Sequence, residues 1–198
     1  MGFLLQIFIF FFFVVIHEYS HGFIAYKLGD PTAKMRGRLT FNPLAHIDPF
    51  GTIILPLSLL IFGSRVIFGW AKPVPINFLN LRNPKRDIAL VGIAGPLANV
   101  SVAVILSLIL KVNLPSLLLE LLEIAILINL VLAVFNLIPV PPLDGSRILM
   151  GLLPNNLAYK FSLLEPFGVF IIFFLLMLGV FHRVILPIVF SLAKILMG

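Results

Sequence analysis

The chain of 198 residues contains no cysteine. Disulfide bonds, thiolate metal ligands and thiol nucleophiles are therefore excluded. Charge is scarce as well: Asp, Glu, Lys and Arg make up 11% of the residues, whereas hydrophobic residues make up 61%. With a mean hydropathy of +1.16, the chain carries more apolar surface than a soluble domain of this size can bury. The composition predicts an all-α polytopic membrane protein in contact with the lipid bilayer.

The charge that is present is mostly positive and unevenly placed. The net charge is +6, and nine of the fourteen Lys and Arg residues fall between Lys27 and Arg86. A soluble protein with this balance would be a candidate for binding nucleic acid. In a membrane protein, cytoplasmic loops are rich in Lys and Arg. We therefore expect no nucleic-acid partner and place residues 27–48 and 65–86 on the cytoplasmic side.

Apolar runs divide the chain into about five to six transmembrane segments. No long hydrophilic stretch or internal repeat interrupts them, so we predict a single domain over residues 1–198, with its core in residues 1–153 and apolar C-terminal segments in residues 166–198. The N-terminal run lacks a basic region and a small-residue cleavage site, which favours a retained span over a signal peptide. The expected apolar segments are residues 2–26, 88–110, 115–136, 166–181 and 184–197.

Two stretches do not fit a spanning helix. Residues 49–64 are short and are interrupted by Pro56 and Gly63, which favours a re-entrant segment. Residues 69–77 are polar and contain closely spaced prolines, which disfavour helix and favour extended backbone of the kind found at a sheet edge. We therefore predict a re-entrant segment followed by a short membrane-associated β element.

Three ionisable residues lie inside the first apolar helix: His17, Glu18 and His21. Such residues cost several kcal/mol in hydrocarbon, so they indicate a functional site. Residues four apart lie on one helix face, about 6 Å from each other, so the two imidazoles can hold one metal ion. Glu18 beside them is placed to act as a general base. This is the His-Glu-x-x-His pattern of zinc peptidases.

A hydrolytic zinc site usually takes three protein ligands, so a third must come from another segment. Asp144 is favoured because it follows a proline-broken apolar segment, and such backbone at membrane depth lines protein or a wet cavity. If residues 49–64 are re-entrant, the crossing count returns Asp144 to the same side of the membrane as His21. The candidates outside the first helix are His46, Asp48, Glu120, Glu123, Asp144, Glu165 and His182.

Other interpretations stay open. Asp144 is also placed to cap a helix that begins at Ser146. A metal-ion or proton-coupled membrane transporter would likewise combine broken helices with ionisable residues at mid-membrane. Hydrolysis requires a glutamate next to the histidines, whereas a transport site does not, and no inverted repeat is visible in the sequence.

The motifs resemble those of the site-2 protease family of intramembrane zinc metalloproteases. The pentapeptide from His17 to His21 is similar to that family's metal helix, and the stretch from Asn136 to Gly145 is similar to its second signature. Residues 94–99 look like a Gly-Pro-x-x-Asn element of the same family. We expect Asn99 and the Gly95–Pro96 pair to serve helix packing, since small residues let helices approach closely.

The resemblance implies a function and a set of roles. It implies one Zn²⁺ per chain, held by His17, His21 and Asp144, with Glu18 as general base. It places His46 and Asn136 near the substrate carbonyl. The implied enzyme is a minimal form without PDZ or CBS domain, which cleaves transmembrane protein substrates in or near their helices during regulated intramembrane proteolysis. We expect it in a prokaryotic plasma membrane, with the active site toward the cytoplasm.

Overall fold

A computed structural model describes residues 3–63, 69 and 71–198. Throughout these residues the chain forms helices and connecting turns, with no strand. The α-helices are α1 (Phe3–Lys27), α2 (Thr32–Met35), α3 (Leu55–Ile61), α4 (Pro84–Ile109), α5 (Ser116–Asn136), α6 (Asp144–Leu152), α7 (Asn155–Ser162), α8 (Gly168–Met177) and α9 (Leu186–Met197). Short 3₁₀ turns occupy Pro43–His46, Phe78–Asn80 and Glu165–Phe167, and wider π turns over Pro49–Ile54 and Phe181–Ile185 lead into α3 and α9.

Four of the described helices are long and apolar enough to cross a membrane. They are Leu5–Lys27, Pro84–Ile109, Ser116–Asn136 and Asn155–Met177. The all-helical membrane architecture expected from composition is therefore confirmed. The predicted number of five to six segments is not, because Pro49–Ile61 is too short to span and α9 is not among the four.

Some helix boundaries differ from those expected. The last of the four long helices begins at Asn155 rather than at residue 166, because the polar α7 continues through a 3₁₀ turn into the apolar α8. α4 begins at Pro84, four residues before its apolar run. There the buried Asp87 carboxylate accepts a hydrogen bond from the Asn83 N–H at 2.9 Å. This bond satisfies backbone that precedes the helix.

α4 lies at the centre of the bundle and packs against α1, α5 and α6. Two glycines allow the backbones of α4 and α6 to meet. A Cβ on Gly92 would lie 2.9 Å from the Arg147 Cβ, and a Cβ on Gly151 would lie 2.6 Å from the Ala89 Cβ. Elsewhere in the bundle, α5 packs against α9 through a buried apolar cluster. The close approach of α6 brings the start of that helix to the middle of the bundle.

Residues 71–77 form neither helix nor strand, and they have no strand partner within the described residues, so the predicted β element is not confirmed. The Lys72 N–H donates to the His46 carbonyl at 2.9 Å. The Arg38 guanidinium donates to the carbonyls of Lys72 and Pro73, at 2.8 and 3.3 Å. His46 and Lys72 are therefore neighbours in the fold, although 25 residues lie between them in the sequence.

Asp30 ties the far end of the same segment to the end of α1. Its carboxylate is fully buried and accepts hydrogen bonds from the Asn77 N–H at 2.7 Å, the Asn80 amide at 2.9 Å and the Thr32 N–H at 3.1 Å. Burial by itself raises the pKa of Asp30. The hydrogen bonds from Thr32, Asn80 and the Asn77 backbone lower it by more, so the pKa lies below the usual value for an aspartate.

Because its folded pKa is lowered, Asp30 stabilises the fold above the pKa of the unfolded chain, and this contribution disappears as the pH falls through the folded pKa. We expect Asp30→Asn to be less stable than the wild type by about 1–3 kcal/mol at pH 7. The difference should shrink once the pH falls below about 4. Thermal unfolding in detergent, followed by circular dichroism between pH 7 and pH 3, measures both effects.

The exposed Glu123 provides the matched control for this comparison. Glu123→Gln should unfold within about 0.5 kcal/mol of the wild type. A stability gap for Asp30→Asn that stays constant over the whole pH range would contradict the assignment.

Candidate metal centre

Helix α1 presents two imidazoles on one face. His17 and His21 lie one turn apart, both are buried, and their Nε2 atoms are 3.0 Å from each other. The rings meet edge to face, with their centroids 4.7 Å apart. The predicted pairing of these two histidines is therefore present in the fold.

Asp144 joins the two histidines from the first turn of α6. Its Oδ2 atom lies 2.9 Å from His17 Nε2, and its Oδ1 atom lies 3.2 Å from His21 Nε2. Asp144 lies within the first turn of α6, and the residue at the N-cap position is Leu143. The competing interpretation of Asp144 as a helix cap is therefore not what the structure shows: the side chain reaches across the bundle to α1.

The space between these groups is lined by a glycine of α4. A Cβ on Gly95 would lie 2.4 Å from His21 Nε2 and 2.6 Å from His17 Nε2, so any side chain at this position would fill the space. Around a tetrahedral zinc ion with bonds of about 2.0–2.1 Å, ligand atoms lie roughly 3.3 Å apart. The nitrogen and oxygen atoms here are separated by 2.9–3.2 Å, and two imidazoles with one carboxylate suit zinc. The residues fit the ion.

The outer nitrogens of both rings are held by α4. His21 Nδ1 donates to the Val91 carbonyl at 2.7 Å, and His17 Nδ1 lies 2.6 Å from Asn99 Oδ1. With Nδ1 occupied in this way, Nε2 of each ring is directed toward Asp144. We expected Asn99 to serve helix packing rather than catalysis, and the structure shows that its side chain also contacts His17. The signal for this role was available, since a polar residue within an apolar span is costly without a partner.

Glu18 faces a different neighbour. Its Oε2 atom accepts a hydrogen bond from the Val74 N–H at 2.8 Å. The buried Val74 side chain rests on Gly22 of α1, where a Cβ would lie 2.8 Å from Val74 Cγ1. Segment 71–77 therefore contacts α1, through Val74, beside the candidate general base.

The two remaining candidates are each hydrogen-bonded to a backbone carbonyl. His46 is fully buried, and its Nε2 atom donates to the Thr40 carbonyl at 3.0 Å. The Asn136 amide donates to the Leu132 carbonyl of its own helix at 2.9 Å. Over the part of the chain that the structure covers, no hydrogen bond joins either residue to the three clustered side chains, and their roles stay predictions. Asn129, which belongs to none of the sequence motifs, is fully buried and accepts a hydrogen bond from the Asn99 amide at 2.8 Å.

Comparison with protein families identifies the relevant chemistry. A model described as Peptidase family M50 matches residues 112–179. This stretch contains Asp144. Both histidines of α1 come before it in the chain and lie outside the match. The match therefore covers the α5–α6 half of the candidate centre.

Curated relatives extend the similarity over most of the chain. The chain is 42% identical over 177 residues to "Putative zinc metalloprotease YwhC" of Bacillus subtilis. This match covers 83% of the chain and 77% of that protein. It is 30% identical over 133 residues to "Putative zinc metalloprotease Rip2" of Mycobacterium tuberculosis, covering 66% of this chain and 50% of that protein. No solved structure matches the chain. The chain therefore belongs to peptidase family M50, the site-2 protease family, and is a membrane zinc metalloendopeptidase.

Proposed function

We propose that this enzyme hydrolyses peptide bonds in or near the transmembrane helices of membrane-anchored proteins, in regulated intramembrane proteolysis. His17, His21 and Asp144 hold one Zn²⁺, and Glu18 is the general base. A single observation carries the proposal: the two Nε2 atoms and the Asp144 carboxylate converge beside Gly95, where no side chain fills the space between them.

The chemistry divides between the ion and one carboxylate. Zinc bound at this place supplies Lewis-acid polarisation of the scissile carbonyl and activation of water. Glu18 takes a proton from the attacking water and passes it to the leaving amine, a step worth about 10²–10⁴-fold in rate. The Val74 N–H holds the Oε2 atom of Glu18, and we assign the proton transfer to the Oε1 atom of the same carboxylate.

The substrate must be extended before it is cut, because a helix satisfies its own backbone hydrogen bonds and shields its peptide bonds. Residues 71–77 are the natural partner for an unwound substrate segment. They form no helix, and the Val74 N–H among them is bonded to Glu18. Pairing along this edge would hold the substrate by main-chain hydrogen bonds next to the metal centre.

The same contacts support a topology. The His46–Lys72 hydrogen bond brings the two ends of the intervening stretch together, which supports a re-entrant path for Pro49–Ile61. Asp30 joins the end of α1 to the residues that precede α4, so the basic connections lie together. Since cytoplasmic loops are rich in Lys and Arg, we place this end of the bundle in the cytoplasm of a prokaryotic cell. The metal centre, in the second half of α1, opens toward that side.

The two residues assigned by resemblance to the substrate carbonyl, His46 and Asn136, receive less support. Each is hydrogen-bonded to a backbone carbonyl rather than to one of the clustered ligands. Membership of family M50, together with the position of Glu18 beside His17, favours hydrolysis over the transport alternative.

We expect Glu18→Gln to lose at least about 10²-fold in cleavage rate, because the general base is removed while the ligands stay in place. The protein should keep about one zinc per chain. The measurement combines cleavage of a fluorescent transmembrane substrate in vesicles with elemental analysis. Glu123→Gln, which changes an exposed carboxylate of α5, should match the wild type. Full activity in Glu18→Gln would end the proposal, and metal flux without cleavage in the wild type would favour a transporter.

Asp144→Ala should lower zinc affinity by more than about 100-fold, since even the loss of a partner outside the ligand set costs about 10–100-fold. Competition with a chelator measures the change. Glu165→Ala is the matched control. Glu165 forms an ion pair with Arg147, which lies on α6 as Asp144 does, and not with the histidines. Wild-type zinc affinity in Asp144→Ala would refute the third ligand.

Gly95→Ala should also lose zinc, because its Cβ would lie within 2.6 Å of both Nε2 atoms. Alanine is the better helix former by about 0.5–1 kcal/mol, so unfolding of α4 is not the expected cause. Circular dichroism should show unchanged helix content in a protein that no longer retains metal. A Gly95→Ala variant with bound zinc would show that the ion lies elsewhere.

A further inference from the structure

The amides of Asn99 and Asn129 form a buried relay that ends on His17. We infer that these two residues are a positioning pair, which orients the His17 ring and directs its Nε2 lone pair toward the metal. The inference rests on the proposed function, since it treats His17 as a zinc ligand. Neither asparagine touches the reacting atoms, so both act through the histidine.

The relay is continuous across three helices. His17 Nδ1 on α1 lies 2.6 Å from Asn99 Oδ1 on α4. The Nδ2 group of Asn99 donates to Asn129 Oδ1 on α5 at 2.8 Å, and the Nδ2 group of Asn129 donates to the Ala125 carbonyl at 2.8 Å. Asn99 and Asn129 have no exposed surface, and His17 is 5% exposed. Water therefore has little access to substitute for any of these bonds.

The far end of the relay determines its direction. A backbone carbonyl can only accept, so Asn129 must turn its Nδ2 group toward Ala125 and its oxygen toward Asn99. Asn99 must then donate with its own Nδ2 group and present Oδ1 to His17. An amide oxygen also only accepts, so the hydrogen belongs on His17 Nδ1 and the lone pair on Nε2. A ligating imidazole requires this tautomer here, because Nε2 is the atom that faces Asp144.

His21 reaches the same state by a shorter route. Its Nδ1 atom donates straight to the Val91 carbonyl of α4. A backbone carbonyl can only accept a hydrogen bond, so no further residue is needed to fix the direction of this bond. A side-chain amide can flip, and then it would offer Nδ2 to the His17 ring. Asn129 is the residue that holds Asn99 in the productive orientation.

A purely structural role would leave a different signature. Polar side chains between membrane helices can act as packing contacts, with no influence on a metal. Removal of a packing contact lowers stability alone. Removal of a residue that orients a metal ligand typically lowers metal affinity or activity by 10–100-fold. Metal affinity, independent of catalysis, therefore separates the two roles.

The experiment uses the full chain in detergent, with zinc affinity measured by chelator competition and the ligand geometry reported by the visible spectrum after substitution with Co²⁺. We expect Asn99→Leu to weaken zinc binding by about 10–100-fold and to shift the cobalt spectrum. Asn129→Leu should move both readouts in the same direction. The double variant should bind zinc no more weakly than Asn99→Leu, because Asn129 acts only through Asn99.

A conservative variant tests the direction of the relay. Asp at position 129 presents an oxygen to Asn99 whether it is ionised or protonated, so Asn129→Asp should restore the affinity and spectrum that Asn129→Leu loses. Ser107→Ala is the matched control, since Ser107 is another buried polar residue of α4 that bonds only within its own helix. It should leave both metal readouts at wild-type values.

Several outcomes would overturn the inference. Wild-type zinc affinity and an unchanged cobalt spectrum in a folded Asn99→Leu would do so, and so would an Asn129→Asp variant that behaves like Asn129→Leu. If Asn99→Leu fails to fold, the comparison of the two Asn129 variants decides. Failure of the proposed function looks different: wild-type zinc affinity in His17→Ala would remove His17 from the ligand set, and the relay with it.

Discussion

The bundle depends on one constraint: two imidazoles and a carboxylate in apolar surroundings must satisfy one another or hold an ion. His17, His21 and Asp144 meet with their ligand atoms 2.9–3.2 Å apart. This meeting is possible because α4 has no side chain at Gly95 and comes into backbone contact with α6 at Gly92. A bulkier α4 would separate the histidines from the aspartate, and each group would then be buried at a large cost.

The same helix also organises what surrounds the ligands. α4 supplies the Val91 carbonyl to one ring and the Asn99 amide to the other. Histidines that ligate metals usually donate their second nitrogen to an acceptor of this kind, which fixes the ring and raises its basicity. Side chains of four helices, α1, α4, α5 and α6, therefore share one hydrogen-bonded network, and a fully satisfied network in a low dielectric is rigid. Rigidity of this kind is what a pre-organised hydrolytic site requires.

Segment 71–77 contacts Glu18 beside the metal centre and also contacts the residues that follow α1. Arg38 and Asp30 hold its two ends, and Val74 contacts Glu18 in between. All these bonds use backbone groups of the segment, so its path is set by the side chains around it rather than by a sheet. The β element that the prolines predicted is therefore not confirmed: a strand needs a partner, and the partners here are side chains.

The sequence by itself determined the membrane class, the helical architecture and the four residues on which the proposed chemistry rests. Helical periodicity places His17 and His21 on one face, and scarcity of charge leaves few alternatives to Asp144. The tertiary structure decided which polar groups meet. Asn99 lies 82 positions from His17, and Asp144 lies 127 positions from it. Local propensity carries no information about such pairs. The hydrogen bond between Asn99 and Asn129 was missed for the same reason, because it joins two helices.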